Sequence, residues 1–156
     1  MTAIDASDID VKVRLDLHDV PIRMMDAVIR RDADQYVGCF TEDGIWDADP
    51  LFRVSHGRQA IREAFVEACD GLEWAFQGHF HTIVAEYSGD RAKLRTYLHE
   101  VGVPKGMTTP VPIGVGLYVD DLVLVDGKWR ITLHDLKTIY FGGNDHVTPL
   151  FRHDPA

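Results

Sequence analysis

The sequence has few of the features that mark membrane, secreted or nucleic-acid-binding proteins. Only two of its 156 residues are cysteines, and both lie in apolar segments without metal-ligand spacing, which predicts buried free thiols. No apolar run approaches the roughly 18 residues of a membrane span, and the acidic N-terminal stretch lacks a signal-peptide core. We therefore expect a cytoplasmic location. The net charge of −9, with no basic stripe, argues against a nucleic-acid partner.

Other absences bear on cofactors and on domain organisation. There is no Gly-rich phosphate loop, which argues against a nucleotide cofactor, and no cluster of metal ligands, so we expect neither cofactor nor metal. No internal repeat or low-complexity linker divides the chain. The length fits a single domain over residues 1–156, with a core at about 10–141 and a tail at 142–156.

The first half of the chain has the patterns of helices. Apolar residues recur at helical spacing over residues 10–31, and Pro21 there predicts either a kinked helix or a short helix followed by a longer one. Residues 32–40 suit a second, short helix, and an amphipathic helix begins after Gly57. Between them we predict a short strand at 45–48 and a loop at 51–57.

The second half has the patterns of strands. Residues 77–100 read as a hairpin around Ser88-Gly89-Asp90, and residues 112–125 and 129–141 as another around Asp126-Gly127. Helices that precede an antiparallel sheet predict an α+β fold. A curved sheet wrapped against helices leaves a concave pocket, where small ligands usually bind.

Four segments resemble a known superfamily: residues 32–46, 57–65, 87–98 and 116–131. Their order and spacing are similar to the SnoaL-like branch of the nuclear-transport-factor-2-like superfamily. Its members include scytalone dehydratase, lindane dehydrochlorinase and ketosteroid isomerase. The resemblance covers nearly the whole chain, and residues 144–150 are also similar to the dehydrochlorinase's C-terminal segment. It implies a cone-shaped, strongly curved antiparallel sheet that packs against N-terminal helices and encloses a pocket.

A histidine pair opens the first hairpin. His79 and His81 are two residues apart, so strand alternation predicts that both face inward, together with Ile83 and Ala85. A neutral imidazole in an apolar cavity can accept a proton near pH 7. The resemblance implies that His79, which precedes Phe80, is the general base, with His81 as the second choice.

The resemblance also implies an aspartate at the end of the first helix to orient the base. Ile29 stands at that position, so Asp26 or Asp32 would have to supply the carboxylate. Asp49, before Pro50, resembles the Asp-Pro base of ketosteroid isomerase. The tyrosine of that enzyme falls on Met24 here, so half of the isomerase site is absent. We expect Met24 and Ile29 to line the pocket that binds the substrate.

Further residues are expected in the pocket wall or outside it. Trp46 stands where relatives place a pocket aromatic, and Tyr118 projects from a strand beside two glycines. Alternation puts Thr96, Leu98 and Glu100 inward and His99 outward, towards an oligomer partner. Neighbours on a strand face opposite ways, so at most one of His134 and Asp135 points inward, and His146 in the tail could cover the mouth of the pocket.

The resulting hypothesis is a cofactor-independent lyase or isomerase of the dehydratase type. Its substrate would be a hydrophobic or aromatic small molecule, and its assembly a homodimer or homotrimer. A polyketide cyclase or epoxide hydrolase is the second hypothesis, with Asp26, Asp49, Glu100 and Asp135 as the carboxylates. The third is a non-catalytic module for ligand binding or assembly. A His–carboxylate contact in the cavity would favour an enzyme.

Overall fold

A computed structural model describes residues 8–49 and 52–141; the tail and the predicted role of His146 lie outside the described residues. The chain forms three helices and six strands in this part: α1 (Val11–Arg30), α2 (Ala33–Gly38), β1 (Phe40–Asp47), β2 (Val54–His56), α3 (Gly57–Asp70), β3 (Leu72–Tyr87), β4 (Arg91–Pro104), β5 (Val111–Val125) and β6 (Lys128–Phe141). The predicted α+β fold is confirmed.

Helix α1 is one uninterrupted helix that contains Pro21. The Asp10 side chain caps its start by accepting hydrogen bonds from the N–H groups of Lys12 (2.9 Å) and Val13 (3.3 Å). Its buried residues recur at helical spacing and form one face towards the sheet: Leu17, Val20, Pro21, Met24 and Ala27. Pro21 therefore interrupts the predicted pattern without ending the helix.

The six strands form one mixed, mostly antiparallel sheet in the order β2-β1-β6-β5-β4-β3. Both predicted hairpins, β3–β4 and β5–β6, are present. Strand β1 lies parallel to β6, with Trp46 opposite His134. The short strand β2 pairs with β1 within the segment predicted as a loop. A three-residue strand has too little alternation to be recognised from sequence.

Bulges interrupt the register of the sheet at several points. In the β3–β4 pair the register shifts between His79 and His81, and also between Val84 and Glu86. In the β5–β6 pair it shifts between Asp121 and Leu122. A bulge bends its strand and increases the local twist. The sheet is accordingly curved, and its concave face lies against α1 and α3.

The hydrophobic core fills the space between the helices and the concave face of the sheet. Its completely buried side chains come from both layers: Leu17, Phe40, Ile61, Leu94 and Ile131. Among the helices in the described ranges, none has the length and hydropathy needed to cross a bilayer.

Candidate active site

A cavity of about 730 Å³, counting its open mouth, lies between the concave face of the sheet and the helices. Its apolar wall comes mainly from the two long helices and the start of β3: Pro21, Met24, Val28, Phe65, Ala68, Cys69, Leu72 and Ala75. A concave, largely apolar space of this kind is where small molecules usually bind.

The polar side chains of the cavity come mostly from the inner face of the sheet: Gln77, His79, Thr96, Glu100, Tyr118, Asp120 and His134. Strand pairing explains how they meet, because residues directly opposite each other share a face. Thr96 lies opposite Tyr118, and Asp120 lies opposite His134. Tyr36, Trp46 and Arg31 complete the lining.

The central feature of the site is a buried histidine–aspartate pair. His134 Nδ1 lies 2.5 Å from Asp120 Oδ1, and the two side chains are 4% and 1% exposed. When Nδ1 carries the proton it donates to the carboxylate, so the lone pair of the imidazole is on Nε2. Asp120 therefore sets the tautomer of His134 and can stabilise an imidazolium there.

Aromatic side chains hold the His134 ring in place. The Tyr118 ring stacks on it with centroids 3.7 Å apart, and Phe40 contacts it edge-on at 5.9 Å. Tyr36 packs in turn against Phe40 and Trp46, each at 5.7 Å. The imidazole is thus fixed by packing as well as by its carboxylate.

His79 is the second histidine of the cavity and has a different environment. Burial and, as a smaller cause, the nearby His134 together lower its pKa to about 4. Both ring nitrogens are buried without a hydrogen-bond partner among the described residues. His79 is therefore neutral at pH 7 and has one N–H donor and one acceptor to offer a ligand.

The low pKa of His79 predicts an acid-sensitive fold. Because the pKa is about 4 in the folded chain against an ordinary 6.5, between these pH values the unfolded chain binds a proton that the folded chain does not. Stability therefore falls as the pH drops from 7 towards 4, by up to about 3 kcal/mol from this group. Urea unfolding at pH 7 and pH 4.5 should show that His79→Gln loses less stability than the wild type over this interval.

The control for this measurement is Val66→Ala, because it trims an exposed side chain on α3 that carries no titratable group. Its loss of stability between the two pH values should equal that of the wild type. Equal losses in the wild type and in His79→Gln would contradict the assignment.

The prediction that His79 and His81 share a face is wrong. His79 lies opposite Leu98 and His81 lies opposite Tyr97, which are neighbours on β4, so one extra residue, Phe80, bulges from β3. The bulge reverses the alternation. His81 is exposed and packs against Tyr97 with ring centroids 4.7 Å apart. Ile83 is turned outward for the same reason.

The carboxylates expected to serve the base lie elsewhere, which corrects that prediction. Asp26 accepts hydrogen bonds from the side chains of Gln35 (2.7 Å) and Arg30 (3.2 Å). Asp32 caps α2 by accepting from the N–H of Gln35 at 2.9 Å. Asp49 is exposed, and none of the three lines the cavity.

Ile29 also lies outside the cavity wall and is 41% exposed. Val28, one residue earlier and about 100° round the helix, takes the inward position. Met24 lines the cavity as predicted. The first helix therefore gives the cavity an apolar wall without a carboxylate.

Of the remaining residues predicted to line the cavity, four do so and one does not. Trp46, Tyr118, Thr96 and Glu100 line the cavity, whereas Leu98 is buried on the same face of β4 but does not reach it. Burial raises the pKa of the Glu100 carboxyl. His99 points outward, opposite Gly78 on the convex face. Asp135 also points outward, and its carboxylate pairs with Lys137 at 2.7 Å.

Asp120 is the functional residue that sequence reasoning missed. Strand alternation could have identified it, because it stands two residues after Tyr118 and therefore shares the inward face of β5. The pairing with His134 depends on a bulge at Thr132, whose hydroxyl donates to the Asp121 carbonyl at 3.1 Å. Gln77, which lines the cavity together with Tyr118, was also missed.

Comparison with known proteins agrees with this geometry. Residues 10–134 match the family model of the SnoaL-like domain. No curated protein matches the chain.

Solved structures share the fold. A candidate aromatic ring hydroxylase from Novosphingobium aromaticivorans is 25% identical over 85% of this chain and 92% of its own, with a TM-score of 0.77. A candidate scytalone dehydratase from the same species is 16% identical over 94% and 98%, with a TM-score of 0.80. ActVI-ORFA from Streptomyces coelicolor is 19% identical over 82% and 98%, with a TM-score of 0.70. The chain therefore belongs to the SnoaL-like domain family, within the nuclear-transport-factor-2-like superfamily.

Proposed function

We propose that the protein is a cofactor-independent lyase or isomerase of the dehydratase type, with a histidine as its general base. The reaction removes a proton from a carbon next to a carbonyl group and then expels or moves a group. The observation that carries the proposal is the buried pair of His134 and Asp120 in the cavity wall, with Nδ1 and Oδ1 2.5 Å apart. A histidine oriented by a carboxylate is suited to proton abstraction.

His134 is the better base of the two cavity histidines. A proton on His134 is stabilised by the adjacent Asp120 carboxylate, whereas a proton on His79 has no such partner among the described residues. With a pKa of about 4, protonating His79 at pH 7 costs about 4 kcal/mol. We therefore propose His134 as the general base, in place of His79, which the sequence had suggested.

His79 is proposed to bind the substrate oxygen. A neutral imidazole can donate a hydrogen bond to a carbonyl or enolate oxygen without giving up its proton. The Tyr118 hydroxyl is a further donor, because burial raises its pKa far above neutrality and the phenol keeps its proton. These groups would stabilise the negative charge that develops when His134 takes the proton.

The substrate class follows from the wall of the cavity. Met24, Val28 and Phe65 form one apolar side, and Trp46 adds an aromatic surface. Such a wall favours a hydrophobic or aromatic molecule of one or two rings with few polar groups.

A carboxylate-based cyclase or epoxide hydrolase is the second candidate. The observation that favours it is Glu100, which lines the cavity and whose pKa is raised by burial, so it can act as an acid. Of the four carboxylates first considered, Asp26, Asp49 and Asp135 lie outside the cavity wall. Loss of turnover in Glu100→Gln, with full turnover in His134→Gln, would favour this route.

The experiment is proton abstraction measured directly. The protein is incubated in D₂O with β-hydroxy ketones and β,γ-unsaturated ketones that carry an aromatic ring. NMR follows exchange of the proton next to the carbonyl, and ultraviolet absorbance follows the conjugated product. Saturable binding of these compounds with neither exchange nor product would overturn the proposal and support a non-catalytic binding protein.

We also propose that the chain forms a homodimer or homotrimer through the convex face of the sheet. Trp74 and Phe76 are 44% and 49% exposed there, and the contacting rings of His81 and Tyr97 lie on the same face of the sheet. Large apolar side chains grouped on a surface mark an interface. Light scattering should give two or three times the chain mass of 17.6 kDa, and Phe76→Glu should give the monomer mass.

Val66→Glu is the matched control for the interface, because Val66 is 43% exposed on α3, away from the convex face. It should leave the assembly intact. A wild-type mass equal to one chain would overturn the interface.

A further inference from the structure

Arg31 stands at the boundary between the cavity and solvent. It is exposed yet lines the cavity, where it is the only lysine or arginine among the described lining residues. Its backbone has φ 55° and ψ 37°, the left-handed conformation that ends α1. Glycine is the usual residue here, since a side chain is disfavoured in this conformation. Arg31 therefore occupies a position whose backbone conformation favours glycine.

The Arg31 guanidinium is held at the start of β3. Its Nη2 donates to the carbonyl oxygens of Leu72 (2.7 Å) and Glu73 (2.6 Å). A guanidinium has five N–H donors, and these two bonds use both hydrogens of Nη2. Nε and Nη1 make no hydrogen bond within residues 8–49 and 52–141. The group is thus positioned and still has donors to offer.

The charge of Arg31 is also uncompensated. No carboxylate lies within ion-pair distance of it in the described chain, although the protein is acidic. The preceding residue, Arg30, pairs with both Asp26 and Asp32, at 3.2 and 3.1 Å. The positive charge of Arg31 reaches Cys69 inside the cavity, where it opposes the rise in thiol pKa caused by burial.

We propose that Arg31 binds a carboxylate of the ligand at the entrance of the cavity, so that the substrate is an apolar, ring-containing acid. The ligand would place its carboxylate on the free guanidinium donors and its ring between Met24 and Phe65, with its reactive carbon towards His134. A charge-assisted hydrogen bond is about twice as strong as a neutral one. This inference rests on the proposed function for the statement that the ligand is a substrate.

The test compares two probes of the same shape, 2-naphthoate and 2-naphthamide, by isothermal titration calorimetry. Wild-type protein should bind the carboxylate at least about tenfold more tightly than the amide, and the preference should shrink at high salt. Arg31→Gln should bind both probes about equally, with its affinity for the amide within about twofold of wild type. Circular dichroism and thermal unfolding establish that the variant is folded.

Arg30→Gln is the matched control, because it removes the same charge one residue earlier, outside the cavity, and should keep the preference for naphthoate. Arg31→Lys keeps the charge and should retain part of the preference for naphthoate. Equal or undetectable binding of the two probes by the wild type overturns the inference, as does an unchanged preference in Arg31→Gln. Because no turnover is measured, a failure here is distinct from a failure of His134 as the base.

Discussion

Replacing Asp120 with asparagine is expected to lower kcat by about 10²–10⁴-fold while changing KM far less. The amide fits the site of the carboxylate, so the fold should persist. However, its NH₂ group donates to Nδ1 of His134 and favours the tautomer with the proton on Nε2. The imidazole then has no lone pair for the substrate and no negative charge to stabilise its protonated form. The measurement is the exchange and product assay over a range of substrate concentrations.

His134→Gln should show a similar loss, and the double variant should be little worse than either single one, because the two residues act as a unit. Asp121→Asn is the matched control. Asp121 is the next residue on β5 but faces the other side, where it pairs with Lys93 at 2.8 Å, so its activity should remain near wild type. Activity of Asp120→Asn within about threefold of the wild type would remove the pair from the mechanism.

Phe40→Ala is expected to lower the free energy of unfolding by about 3–5 kcal/mol. The ring is completely buried, and it packs against Tyr36 at 5.7 Å and His134 at 5.9 Å. Its removal leaves a cavity that the surrounding strands and helices cannot fill without moving. Since domains are stable by only about 5–15 kcal/mol, the urea midpoint should fall steeply.

The control for Phe40 is Val66→Ala, on the exposed side of α3, which should change the free energy of unfolding by about 0.5 kcal/mol or less. Phe40→Leu keeps most of the apolar volume, so its loss of unfolding free energy should lie between those of Phe40→Ala and Val66→Ala. A loss below about 1 kcal/mol for Phe40→Ala would mean that the core closes around the gap.

The helices and hairpins were predictable because each has a repeating signal. Helical spacing located α1 and α3, and the turns at Ser88-Gly89-Asp90 and Asp126-Gly127 located both hairpins. The cavity wall of β4 also followed from alternation, since Thr96 and Glu100 point inward. Local patterns of this kind survive folding where tertiary packing supports them.

Bulges account for most of what could not be predicted. A single extra residue reverses the face of every side chain beyond it. Phe80 does this to His81, which is why a pair expected to act together is divided between the two faces. The position of a bulge depends on pairing across the sheet, which a single strand does not reveal.

The same effect concealed the histidine–aspartate pair. Counted back without interruption from the turn at Asp126-Gly127, His134 would lie opposite Val119 and face outward. The bulge at Thr132 shifts the register by one residue and sets His134 opposite Asp120. The bulge at Thr132, and not either residue itself, therefore decides that His134 points inward and Asp135 outward.

The parallel pairing of β1 with β6 has a consequence for how the protein folds. The Thr41 hydroxyl hydrogen-bonds to the Ile131 carbonyl at 3.4 Å, across 90 residues of sequence. A contact between such distant segments loses much chain entropy before it gains any stability, and it slows folding. Trp46 and His134 meet only at this seam, so we expect the site to be assembled after the two hairpins have formed. Until then β1 has an unpaired edge, which is open to pairing with β1 of another nascent chain.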